Sequence, residues 1–317
     1  MKRLFTFSIL LFSFLFGTSK EIEVCLTCSV SSIQQAHDLA SAYDVINIKK
    51  GIYPTHSVQL LKPITLQGEE GAILDAEQEG EILIIHSDSV NIFDLTFQNV
   101  PLSYTKDWAA ISSDKANYCR IENNTLLNNF FGMYIRKSKH FSILNNRVVS
   151  NATQEVNSGN AIHLWYCDSM NIQNNLVKNH RDGIYFEFVK RSLIKNNVSE
   201  GNVRYGLHFM FSNENHYIEN TFENNGSGVA VMYGDKIEMT GNTFINNWGP
   251  ASYGLLLKEI KDGKIHNNLF KKNTTAIYGE GAMRMDIRNN RFESNGWAMK
   301  ILSSCMENKV VDNDFLS

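Results

Sequence analysis

The 317-residue chain carries 30 Lys and Arg against 33 Asp and Glu, a net charge of −3. It therefore lacks the strongly basic face that nucleic-acid binding requires. Its length allows a large core, and its hydrophobic share of 43% is ordinary for a soluble protein.

In chain order, Lys2 and Arg3 precede an apolar run from Leu4 to Phe16, followed by Gly17, Thr18 and Ser19. This is the pattern of a secretory signal over residues 1–19, too short for a transmembrane helix. No Cys follows closely enough for a lipoprotein anchor, and no later apolar stretch reaches 18 residues, so membrane association is expected only through a partner. Five cysteines is an odd count for an exported chain. Cys25 and Cys28 form a C-x-x-C, readable as a local disulfide, a soft-metal site or two free thiols. Cys119, Cys167 and Cys305 fall at different phases of the later repeat and read as buried or corner thiols. Residues 30–42 have helical spacing, with Ser31 or Ser32 as the start, and are expected to plug one end of a solenoid. Strands follow at VINIK, GIYP, ITLQG, AILDA, ILIIHS and VNIFDLTFQNV.

From Lys115 the coils become regular, and from about residue 119 a cassette of apolar residues and asparagine repeats at about 22 residues, the signature of a solenoid. One Asn column runs Asn124, Asn146, Asn175, Asn197, Asn220, Asn242, Asn268, Asn290 and Asn313; a second runs Asn129, Asn151, Asn202, Asn225, Asn247, Asn273 and Asn295. One coil of short strands needs about that length at ~3.3 Å per residue. Asn tolerates left-handed backbone at corners, and stacked amides can bond along a column. The expected fold is an all-β, right-handed parallel β-helix of about ten coils with a short N-terminal helical cap, one domain over residues 20–317.

The second strand of each coil follows a small residue and then alternates, as in GMYIRK, AIHLWY, GIYFEFV, GLHFMF and GVAVMY. Alternation sends Met133/Ile135, Ile162/Leu164, Ile184/Phe186, Leu207/Phe209 and Val229/Val231 inward. One outward column then reads Tyr134, His163, Tyr185, His208, Ala230, Leu256, Tyr278, Lys300. The other reads Arg136, Trp165, Glu187, Met210, Met232, Lys258, Glu280, Leu302. His208, Met210 and Met232, with His163 and Glu187 at the edge, are the candidate metal ligands, because thioether and imidazole suit Cu(I). The plainer reading is that a loop or partner covers this patch and the methionines only pack. The loop WGPASYG, residues 248–254, is expected near the methionines. His140, His180, His216 and His266 are expected to be solvated. In HRDGIYFE, Asp182 is expected to pair with the matching corner arginines Arg181 and Arg204. Glu187 and Glu280, four coils or about 19 Å apart, are too distant for a glycosidase pair.

The phrases AIHLWYCDS, HRDGIYFEFV, RYGLHFMFS, GVAVMY, NWGPASYGLLLKEI and RFESNGWAMKI resemble NosD, the family of exported β-helix maturation proteins of nitrous oxide reductase. The resemblance implies a non-enzymatic periplasmic assembly factor for the copper–sulfur site of nitrous oxide reductase, peripherally held at the inner membrane. It implies docking on an ABC transporter of the NosF/NosY type and receipt of copper from the chaperone NosL. It also implies a region beyond Ser317, so the domain is expected to be incomplete at that end. The alternatives are a carbohydrate-active β-helix enzyme, lyase or epimerase, and a passive protein-binding scaffold.

Overall fold

The computed structural model describes residues 19–302 and 304–316, so the signal expected over residues 1–19 lies outside the described residues except for Ser19. Three parallel sheets of 13, 11 and 12 strands run the length of a β-helix. In each sheet, neighbouring strands are one coil apart in sequence. The coils number about thirteen, not about ten. The asparagine pattern undercounts because four strands of the longest sheet, Glu21–Val24, Val45–Ile48, Thr65–Gly68 and Asn91–Phe93, precede its first rung. At the matching corner, Leu95 stands where later coils have Asn.

The first asparagine column is a continuous ladder. Each backbone N–H and each side-chain Nδ2 donates to the Oδ1 of the next rung, as from Asn124 to Asn146 at 3.0 and 3.2 Å. The same Nδ2 groups also reach back to a backbone carbonyl, Asn146 to Ile121 at 2.9 Å. From Asn124 to Asn290 these amides are buried, so the ladder satisfies corner groups that would otherwise be orphaned. Left-handed backbone falls not on the ladder asparagines but on the residues before them, Asn123, Asn145, Asn174 and Asn196, at φ 54 to 58°. The two properties of Asn that suggested the fold thus belong to adjacent positions.

The second column departs from expectation at one rung. Asn151 is exposed at the start of an inserted loop. In the next coil His180 holds the position where the column would have Asn, its N–H donating to Asn202 Oδ1 at 3.0 Å.

The small residue opening each second strand is a packing requirement. A Cβ on Gly183 would lie 2.1 Å from Ser199 Oγ and 2.6 Å from the Gly206 carbonyl; one on Gly228 would lie 2.4 Å from that of Gly254. Behind it, Ile184, Phe186, Leu207, Phe209, Val229 and Val231 are fully buried, each stabilising the coil by about 1.5–3 kcal/mol. Phe222, Phe244, Phe270, Phe292 and Phe315 stack at centroid spacings of 4.5 to 5.4 Å.

A helix over Ile33–Leu39 covers the N-terminal coil. Ser32 caps it by accepting from Gln35 N at 3.2 Å, and Ile33 and Ala36 face the core. Among the described residues no helix is long and apolar enough to cross a membrane.

Candidate functional site

The site lies on the outer face of the eleven-stranded sheet, where strand pairing holds both outward columns in register. Tyr134, His163, Tyr185, His208 and Ala230 are successive neighbours, as are Arg136, Trp165, Glu187, Met210, Met232, Lys258 and Glu280. Met210 therefore stands directly beside Met232 on one side and Glu187 on the other, about 4.8 Å away along the stack. His208 precedes Met210 by two residues on the Tyr205–Met210 strand, on the same face.

The five expected ligand positions differ in exposure. Met210, Met232, Glu187 and His163 are half-buried, whereas His208 is only 6% exposed. His163 does not neighbour His208, because Tyr185 lies between them, its ring 4.6 Å from one imidazole and 4.9 Å from the other. The Tyr185 hydroxyl is 3.9 Å from Met210 Sδ. Nε2 of both His163 and His208 is buried without a hydrogen-bond partner. Burial, helped by the Arg181 charge, lowers the His163 pKa to about 3, which keeps its ring neutral. Two thioethers, a carboxylate and imidazole nitrogens without a partner form a donor set that fits a soft cation.

A charged network closes the strand-start side of the patch. Arg204 donates from Nε to Asp182 Oδ1 at 3.0 Å and from Nη2 to Oδ2 at 2.6 Å. Its Nη1 donates to Glu155 Oε1 at 2.9 Å, and Nη2 lies 3.2 Å from His208 Nδ1. Asp182 is fully buried. Burial alone would raise its pKa, but the His208 imidazole 3.6 Å away, the two Arg204 hydrogen bonds and the guanidinium charge outweigh burial and hold the carboxyl below its usual range. The Asp182–Arg204 pair follows from matching corners in sequence. Glu155 does not; it arrives from the inserted loop, where no periodicity operates.

On the other side runs a staircase of rings one residue past the methionine column. Tyr166, Phe188, Phe211 and Tyr233 stack at 4.4, 5.1 and 5.2 Å. All four have left-handed backbone, φ 51 to 57°, and three are exposed. Reading the outward columns alone passes over these residues.

Three expectations need correction. The 248–254 loop does not reach the methionines: Gly249 N donates to Thr274 Oγ1 at 2.9 Å and Tyr253 N to Ser227 Oγ at 3.1 Å, which places the loop at the strand starts. His180 is not solvated. It is 1% exposed with both ring nitrogens unpartnered, and burial lowers its pKa to about 4. His266 is half-buried, while His140 and His216 are exposed. Of the open readings for Cys25 and Cys28, the structure shows a disulfide. Cys119 and Cys167 are buried thiols, pushed up to about 12 by burial.

A family model described as NosD, periplasmic copper-binding protein, matches residues 152–317, a stretch that contains every candidate ligand. No curated protein sequence matches the chain. Among solved structures, the periplasmic alginate epimerase AlgG superposes with a TM-score of 0.65 at 14% identity, covering 86% of this chain and 77% of that one. The surface protein and adhesin PfbA of Streptococcus pneumoniae gives 0.60 at 12% identity, covering 90% and 94%. The mannuronan C-5 epimerase A-module of Azotobacter vinelandii gives 0.58 at 13%, covering 85% and 91%. At these identities the likeness is one of fold.

Proposed function

The chain belongs to the NosD family of periplasmic copper-binding proteins, and on that premise we propose that it is a non-enzymatic copper-handling factor for assembly of the copper–sulfur site of nitrous oxide reductase. In this reading it works with an ABC transporter of the NosF/NosY type and accepts Cu(I) from the copper chaperone NosL. Copper is cargo, held transiently by Met210, Met232 and His208, with His163 and Glu187 at the edge. The observation that carries the reading is the register pairing Met210 with Met232 one coil from Glu187, on the outer face that also carries His208 and His163. Thioether and neutral imidazole bind Cu(I) without losing a thiol proton, and rigid strands hold them without a closed cage, which suits handover.

The carbohydrate-enzyme reading draws support from the fold of the two epimerases, but the carboxylates do not favour it. Asp182 is neutralised by Arg204, and Glu280 is paired with Lys258 at 3.3 Å. Glu187 has no second carboxylate beside it in its column, where its neighbours are Trp165 and Met210.

The test is anaerobic Cu(I) titration of a Cys25→Ser/Cys28→Ser chain with and without Met210→Leu/Met232→Leu, which keeps volume and removes sulfur. We expect at least a tenfold loss of affinity. Equal affinity would remove the site, and turnover of alginate abolished by Glu187→Gln would favour the enzyme.

A further inference from the structure

Far from the methionines, at the N-terminal coil, a second group of soft and hard donors converges. Cys25 and Cys28 lie in the turn between the Glu21–Val24 strand and the helical cap. Ligand atoms of Glu23, Cys25 and Cys28 all fall within 4.8 Å of one another. A Glu23 carboxylate oxygen is 3.6 Å from Cys28 Sγ, and Thr27 Oγ1 is 3.6 Å from Cys25 Sγ. Both cysteines are half-buried and thus open to solvent.

The disulfide joining them has little structural work to do. It closes a loop of three-residue separation, where constraint of the unfolded chain is smallest. The turn is already held by Cys28 N donating to Cys25 O at 3.2 Å and Cys25 N to Val30 O at 3.3 Å. Val24 is fully buried beneath it, and Lys49 N donates to Val24 O at 2.9 Å. An exposed disulfide of this kind is open to thiol exchange.

We propose that the reduced Cys25–Cys28 pair, with Glu23 beside it, is a Cu(I) site, and that formation of the disulfide shuts it. Two thiolates supply the soft, low-coordinate environment that selects Cu(I). The Cα atoms are 5.1 Å apart, so side-chain rotation alone lets both sulfurs face one ion. Lys49, whose Nζ is 3.5 Å from a Glu23 carboxylate oxygen, offsets the negative charge that two thiolates bring. The choice of copper among soft ions rests on the copper reading of the family; the site itself does not depend on the His/Met patch.

Opening the site requires a dithiol reductant. Its thiolate attacks one sulfur of the disulfide and displaces the other; its second thiol then resolves the mixed disulfide. Two electrons and two protons pass to Cys25 and Cys28, and the reductant leaves as a disulfide. Cu(I) then displaces the two thiol protons and keeps its oxidation state.

The test uses the exported full chain carrying Met210→Leu/Met232→Leu, so that the outcome is independent of the other site. It is compared with the same chain plus Cys25→Ser/Cys28→Ser, each oxidised or reduced by a dithiol and desalted under nitrogen. Cu(I) is titrated against a chromophoric chelator, with circular dichroism as the check on folding. We expect the reduced chain to take about one additional Cu(I), with a near-ultraviolet thiolate-to-copper band, and the oxidised chain and the serine variant to take none of it. Equal uptake by the reduced chain and the serine variant, or additional uptake that persists in the oxidised chain, would overturn the proposal.

Discussion

Arg204 holds the buried carboxylate of Asp182 with two hydrogen bonds and, through the same Nη2, lies 3.2 Å from Nδ1 of His208. One guanidinium thus ties the charge balance of the sheet edge to the orientation of the candidate imidazole ligand. Glu155 completes the chain from the inserted loop, but its side chain is 51% exposed.

Removing Arg204 takes both guanidinium hydrogen bonds from the buried Asp182 carboxylate and leaves Arg181 Nε, at 4.0 Å, as its remaining cation. We expect Arg204→Met to destabilise the fold by about 3–5 kcal/mol at pH 7 in urea unfolding, and Glu155→Gln by less than ~1 kcal/mol, because its pair is screened by solvent. The folded pKa of Asp182 is depressed. Its stabilisation is therefore present above the unfolded carboxylate range and is lost as pH falls through the lower, folded pKa. The gap between wild type and Arg204→Met should narrow on acidification through that window; a pH-independent gap would count against the pairing.

The asparagine ladder makes a positional prediction. Asn220 accepts from both N and Nδ2 of Asn197 and donates to Ile194 O at 2.9 Å. Asn220→Leu orphans these groups in the core and should cost about 3 kcal/mol by urea denaturation. Asn313→Leu removes the equivalent acceptors from Asn290, yet Asn313 is half-exposed, so water substitutes and the cost should stay under ~1 kcal/mol.

Period and alternation made the parallel β-helix, the inward residues and the Met210–Met232 adjacency legible, because strand register is a matter of counting once one face must be buried. Counting fails where the chain leaves the coil. Asn151 matches the spacing but opens an insertion, so the next rung falls to His180, and Glu155 reaches Arg204 from within that same excursion. The first four coils carry no ladder asparagine, so their strands are visible in the sequence but their number is not. The state of Cys25 and Cys28 depends on how their turn is folded, which a C-x-x-C spacing alone does not specify.

His180 should add to acid sensitivity, alongside His163, whose pKa burial lowers further, to about 3. The folded pKa of His180, about 4, lies below the ordinary histidine value because burial disfavours the charged ring. Between ~6.5 and about 4 the unfolded chain binds a proton at His180 that the folded chain does not, so the His180 contribution to stability falls as pH drops through that window and levels off below it. His180→Asn places at this rung the residue that the next one, Asn202, uses. It should preserve the fold at pH 7 and reduce proton uptake on unfolding at pH 5 by about one, read from the slope of stability against pH. An unchanged slope would show that His180 is not among the groups responsible.

The aromatic staircase tests whether its rings are there for stability. Phe188 and Phe211 occupy left-handed backbone, which costs an ordinary side chain about 1–2 kcal/mol and asparagine less. Equivalent corners of the first ladder, such as Asn145 and Asn174, use asparagine. Against that relief stands the loss of stacking at 5.1 and 5.2 Å on either side of Phe211, about 0.5–1.5 kcal/mol per pair. The two effects nearly cancel. We therefore expect Phe211→Asn, at a position 41% exposed, to change stability by less than ~1 kcal/mol in urea unfolding. A loss several times larger would mean that the rings brace the corner; a near-neutral result would mean that stability does not account for an exposed row of strained aromatic residues beside the methionine column.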